Sequence, residues 1–242
     1  MGLKRQSCLL AILAVVVHMA GGAAVEAVEL PIAYSVSNNA LNTKGGIDFQ
    51  NQIGEWYAKR TMSKATVFSW RAFNQLSYPG SKKIVPSIWL VVESMSEDYN
   101  GYAAYINGSI VHINANYLGQ YNGDLKREFT GLVYNQVASI LQWTGNGEAP
   151  AWLTTGMADY VRMKAGYEAV GWVGAGEGES LGRGFDVAAH FLGYCNKLKR
   201  GFVGELNYKM RNGYTVGYFV DLLGKNVDQL WSEYKATYAK RA

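Results

Sequence analysis

The chain has 242 residues, of which 49% are apolar and 13% aromatic, enough to bury a sizeable core in one medium domain without staples. Its net charge of +4 is scattered along the chain. Nucleic-acid binding needs a concentrated basic patch, so no nucleic-acid partner is expected, whereas loose association with acidic cell-wall polymers fits this charge.

Lys4 and Arg5 precede an apolar run from Cys8 to Met19, and small residues follow: Gly21, Gly22, Ala23, Ala24 and Ala27. The run is shorter than the about 20 residues of a spanning helix. Residues 1–27 therefore read as a secretory signal peptide, cut near Ala24 or Ala27, against the alternative of a membrane anchor. No later segment is long and apolar enough to cross a membrane. Residues 28–242 are expected to form a single domain, secreted to the extracellular space or apoplast. Cys8 leaves with the signal, so Cys195 stays behind alone and no internal disulfide can form. Its apolar setting, FLGYCNKL, marks a packing residue rather than a nucleophile.

Val28 to Val36 alternates like a strand. Gly45 to about Asn74 has helical spacing, with Phe49, Ile53, Trp56 and Tyr57 on one face and a break expected near Arg60 to Ser63. Tyr78 to Lys83 is a loop marked by Pro79-Gly80, and SIWLVVE, Ser87 to Glu93, is a buried strand. Two strands, Tyr102–Ile106 and Ser109–Ile113, flank Asn107-Gly108 as a hairpin. The same residues form the sequon Asn107-Gly108-Ser109, a candidate glycosylation site.

Asp124 is a fair N-cap for a helix to about Trp143, with Glu128 in its early turns. After a loop from Gly145 to Pro150, Ala151 to Gly166 returns to helical spacing. The glycine-rich stretch Gly171 to Gly184 reads as a surface loop. Helices are expected over about Phe185–Lys199, Gly201–Arg211, Thr215–Leu223 and Val227–Lys240. Strands first and helices afterward predict an α+β domain.

The run REFTGLVYNQVASILQWTGNGEAPAWLTTGMADYVRMKAGY, Arg127 to Tyr167, resembles the plant basic secretory protein family, as do VSNNALNTKGGIDF near the start and LGKNVDQLWSEYKATY at the end. The resemblance covers roughly Ala33 to Tyr238 and implies a zincin-like fold, its N-terminal sheet mixed or antiparallel and its C-terminal half mainly helical, with an association with secretion and defence. It also implies a zinc site of the pattern H-E-x-x-H, in which two imidazoles at i and i+4 hold the metal and the glutamate polarises its water. A third ligand would come from a following E-G-x-A-D-Y stretch.

Matched on Tyr134 and Trp143, this chain carries Asn135 and Ser139 where the resemblance puts histidines, and Gln136 where it puts the general base. Matched on Gly156, Ala158, Asp159 and Tyr160, it carries Thr155 in place of the third ligand. Amides and neutral hydroxyls are poor zinc ligands, and an amide cannot take a proton as glutamate does. Four such changes remove ligand affinity whose scale is ~10 kcal/mol. His18 lies in the signal, and His112 and His190 are expected on a strand and a later helix, where two histidines without a placed carboxylate do not rebuild the site.

No cofactor is therefore expected. A cleft lined by Asn135, Gln136, Ser139, Thr154 and Thr155 suits a polar small molecule or peptide. Asp159 is expected to hydrogen-bond backbone or Asn135. The leading reading is a secreted pseudo-peptidase that acts by binding, with a role in defence. The alternative is metal-free chemistry on a small metabolite, a cyclisation, isomerisation or elimination, with Asp159, Tyr134 or His190 moving the proton. A hydrolase built on Ser139 and His190 lacks the G-x-S-x-G elbow.

Overall fold

The computed structural model describes residues 32–77, 81–99 and 101–239. The expected signal, the start of the first strand, Tyr78-Pro79-Gly80 and Lys240 lie outside the described residues. The elements run β1 (Ala33–Asn38), α1 (Lys44–Gln52), α2 (Gly54–Ala72), β2 (Ser87–Glu93), β3 (Ala104–Asn107), β4 (Ile110–Asn114) and α3 (Ala115–Gln120). They continue with α4 (Leu125–Leu141), α5 (Ala151–Lys164), α6 (Phe185–Leu198), α7 (Phe202–Lys209), α8 (Gly217–Leu223) and α9 (Val227–Ala239).

The class is α+β. Its sheet has the order β1-β2-β4-β3. The β1–β2 and β2–β4 pairs are parallel and β3–β4 is antiparallel, so the sheet is mixed. Strand β2 alternates: Ile88, Leu90 and Val92 are fully buried, while Trp89 stands half in solvent. Helix α2 packs on β1, α4 packs on β3 and β4, and the two helices lie against each other. Helices α5 and α6 add a further layer behind α4.

Two local expectations are corrected. The hairpin is displaced by one residue: Asn107 pairs with Ile110, so the loop is Gly108-Ser109. Gly108 has φ 58° and Ser109 does not have positive φ, the pattern of a turn that needs glycine at its first loop position. The helix break falls at Ile53, not between Arg60 and Ser63, because Gly54 takes φ 72°. Beyond it the buried stripe Ala58, Met62 and Ala65 carries α2 through Thr61 and Ser63 unbroken. The break also rotates the apolar face. Phe49 and Ile53 are buried, but Trp56 is 70% exposed.

Helix α4 begins as its cap dictates, with the Asp124 carboxylate accepting from the Arg127 N–H at 2.9 Å. Helix α3 has no apolar periodicity to announce it. The Asn114 side chain starts it by accepting from the Asn116 N–H at 2.9 Å. Cys195 is buried, and burial pushes its thiol up, as befits a packing residue. On the same helix, Phe191 meets Phe219, Trp231 and Tyr234 at ring-centroid distances of 6.4, 5.8 and 5.9 Å, which ties α8 and α9 to α6.

Candidate functional site

Helices α4 and α5 carry the polar residues singled out in the sequence. Their crossing is held by Gln142, whose Nε2 donates to the Thr154 carbonyl at 3.0 Å. On its other side α5 meets α6 so closely that a Cβ at Gly156 would lie 2.5 Å from that of Ala188. This packing sets Asp159 against α4. Asn135 Nδ2 donates to Asp159 Oδ1 at 2.6 Å, and Gln136 Nε2 donates to Asn135 Oδ1 at 2.7 Å. Ser139 Oγ donates to the Asn135 carbonyl at 3.1 Å, and Thr155 Oγ1 donates to the Ala151 carbonyl at 2.5 Å.

Asp159 is 8% exposed, and its carboxyl is raised to about 6. Burial is the main cause. The Arg162 charge and the Asn135 hydrogen bond pull the other way, and the charge of Asp186 adds to the rise.

One turn further along α5, Arg162 Nη2 donates to Glu128 Oε2 at 2.7 Å, with side-chain exposures of 6% and 3%. Arg162 Nε donates to the Tyr167 carbonyl at 2.7 Å, and Tyr117 OH donates to Glu128 Oε1 at 3.0 Å. Burial, reinforced by the charge of Glu128, pushes the Tyr117 phenol up. Gly131 makes room for this pair, since a Cβ there would lie 2.7 Å from Arg162 Nε. Glu128 is thus half of a buried ion pair, not only an early-turn partner of the helix dipole.

The other residues of interest lie elsewhere. The Tyr134 ring meets Phe68 and Tyr167 at 5.6 and 5.1 Å and lines a cavity between α2 and α4. His112, on β4, bonds Glu93 Oε1 through Nδ1 at 2.5 Å and stacks on Tyr105. His190 is on α6, half-buried. Asp159, Tyr134 and His190 are joined by no hydrogen bond among the described residues, whereas Asp159, Asn135 and Gln136 form one continuous string. Asn107 is exposed at the end of β3.

A sequence model of the family described as "Peptidase of plants and bacteria", abbreviated BSP, matches residues 30–234. The chain belongs to the BSP family. A curated relative from Boswellia serrata, "Basic secretory protease", is 46% identical over 55 residues. Those residues make up 23% of this BSP chain and 61% of that relative. No solved structure matches.

The zinc implied by the resemblance does not suit the side chains of this BSP chain. Asn135 uses its amide nitrogen on Asp159 and its amide oxygen on Gln136, and the Ser139 and Thr155 hydroxyls donate to carbonyls of their own helices. Asp159 is the one carboxyl in the cluster, and burial disfavours its charge. Among the described residues no group of three or more His, Cys, Asp or Glu converges to hold a metal ion. What the cluster offers is a buried carboxyl titrating near 6 beside two amides, an arrangement for hydrogen bonding and proton exchange.

Sequence reasoning missed the Glu128–Arg162 pair, the basic residues of the α2–α4 cavity, and the meeting of Trp56, Tyr57 and Tyr134 there. The pair left no signal, because its members are 34 residues apart. The cavity left one: Tyr57, Arg60 and Lys64, and again Lys126, Thr130 and Tyr134, recur at helical spacing.

Proposed function

We propose that this BSP-family chain is a secreted pseudo-peptidase, without zinc or a general base, that acts by binding a polar small molecule or peptide. The observation that carries the reading is the hydrogen-bonded string Gln136–Asn135–Asp159, which occupies both ends of the Asn135 amide with protein partners, beside a Ser139 hydroxyl turned to its own helix. Secretion is supported by the basic–apolar–small pattern of residues 1–27 and by the printed name of the Boswellia serrata relative. No helix among the described residues is long and apolar enough to cross a membrane. A role in defence follows the family resemblance, and the exposed Asn107 is the expected glycan site.

Elemental analysis of the purified mature protein should find far less than stoichiometric zinc, and a casein assay should show no chelator-sensitive cleavage. Stoichiometric zinc together with such cleavage would refute the reading. For Asn107, treatment with a peptide N-glycosidase should increase gel mobility, and Asn107→Gln should abolish that shift. Unchanged mobility of the wild type would remove the site from the account.

A second reading is favoured by one observation, the Asp159 carboxyl raised to about 6. A carboxyl poised near neutrality can move a proton in a metal-free cyclisation, isomerisation or elimination of a small metabolite, with the amides of Asn135 and Gln136 orienting the substrate. Comparing metabolites of plants with and without the transcript separates the two readings. An unchanged profile favours binding alone.

A further inference from the structure

The cavity between α2 and α4 has a volume of about 310 Å³, within the size class of small-molecule sites. Helix α2 contributes Trp56, Tyr57, Arg60 and Lys64 to its wall. Helix α4 contributes Lys126, Thr130 and Tyr134, and Tyr167 closes one side. Asn135, Gln136, Ser139, Thr155 and Asp159 take no part in it, so it is separate from the cluster at the α4–α5 crossing.

The walls combine cations with aromatic faces. Arg60, Lys64 and Lys126 all reach the cavity, and no carboxylate lines it. None of the three forms an ion pair with a described carboxylate, whereas Lys44, Lys59, Lys199, Lys209 and Lys225 each do. The positive charge is left for a ligand to neutralise. Lys126 Nζ lies 4.2 Å from the Tyr57 ring centroid, and the Arg60 guanidinium lies 5.1 Å from that of Trp56.

The aromatic part is held in place. Tyr167 is anchored through its carbonyl by Arg162, its ring meets Tyr134, and Arg127 lies 5.6 Å from its centroid. Tyr57 OH and Thr130 Oγ1 are 2.8 Å apart. Trp56, 70% exposed, presents a flat ring at the rim. A ligand that satisfies all of this carries several anionic groups for the cations and a ring face for Trp56.

We infer that this cavity is a binding site for acidic oligosaccharides, whose uronate rings stack on the aromatic side chains while their carboxylates meet Arg60, Lys64 and Lys126. Three cations spread over two helices beside the exposed Trp56 ring favour a chain of sugar acids over a single aromatic acid, which offers only one carboxylate. Carboxylates spaced along such a chain match cations spaced along two neighbouring helices. The inference does not depend on the fate of the metal site.

Calorimetric titration of the folded mature protein tests it, with trigalacturonic acid, neutral galactotriose and 4-hydroxybenzoate as probes. Trigalacturonic acid should bind at one site per chain, more weakly as salt rises, and the two other probes should bind at least about tenfold less tightly. Lys126→Glu and Trp56→Ala change exposed side chains, and each should weaken trigalacturonate binding at least about tenfold while the melting temperature holds. Lys209→Glu, the same charge change on α7, should leave it within about twofold. Absence of binding overturns the inference, and so does equal weakening by Lys126→Glu and Lys209→Glu, which would mean general charge attraction. Tighter binding of 4-hydroxybenzoate overturns the ligand class.

Discussion

Glu128→Ala is expected to cost about 3–5 kcal/mol of folding stability, the scale for removing one member of a buried ion pair. The size follows from what is left behind. Arg162 has a side chain only 6% exposed, and without Glu128 its guanidinium keeps the Tyr167 carbonyl but loses its hydrogen-bonded carboxylate, with only the more distant charge of Asp159 remaining. Tyr117 loses the acceptor of its hydroxyl at the same time. Replacing both members, Glu128→Met with Arg162→Met, removes the stranded charge and should cost markedly less than the sum of the two single changes. Gly131→Ala offers an independent check and should also destabilise, because its new methyl would press on Arg162 Nε. Urea unfolding of the single and double variants measures all of this. A loss below about 1 kcal/mol in Glu128→Ala would mean that water reaches the pair, in the manner of a surface salt bridge.

Asp159→Asn is expected to stabilise the protein at pH 7 and to leave it nearly unchanged at pH 4. The folded chain holds the Asp159 carboxyl at about 6 against an ordinary value of 3.8. Between those limits the folded state keeps a proton that the unfolded state has released, so stability falls as pH rises through the window. The benefit of burying the neutral acid is fully present below about 4 and lost above about 6. Two pH units correspond to at most about 3 kcal/mol, and Arg162 and Asn135, which favour the charged form, are already included in the shift. An asparagine at this position can accept from Asn135 Nδ2 through its amide oxygen without carrying charge. Thermal melts of wild type and variant from pH 4 to pH 8 should therefore diverge, the wild type falling relative to the variant. A variant less stable than wild type at pH 7 would show that Arg162 and Asn135 outweigh desolvation, and the account of Asp159 would fail.

Much of the fold was legible in local spacing. The bodies of α4, α5, α6, α7, α8 and α9 lie within a few residues of their expected spans, because apolar periodicity and caps such as Asp124 act over a single turn. The break in the first helical run shows where such reading stops. Thr61 and Ser63 look like interruptions, yet the buried stripe of Ala58, Met62 and Ala65 outweighs their weak propensities. Gly54, at positive φ, sets the break upstream of them instead.

The polar cluster was half legible. That Asn135, Gln136 and Ser139 share an α4 surface follows from their spacing, and a bond between Asn135 and Asp159 was among the expectations; the observed 2.6 Å contact supplies its geometry. Glu128 looked like an ordinary first-turn acid, since nothing near it in the chain reveals Arg162. The cavity's two walls are each readable as stripes, but their meeting is not.

By itself the sequence determined the α+β class, the spans of α4 to α9, membership of the BSP family and the amide and hydroxyl character of the residues around Asp159. Only the tertiary structure decided that Glu128 pairs with Arg162, that Asp159 is buried enough to titrate near 6, and that Lys126 and Arg60 face one cavity. The reason is physical: periodicity and capping are short-range and written in neighbouring residues, whereas burial and pairing depend on how helices cross, which is set by the summed packing of the whole core.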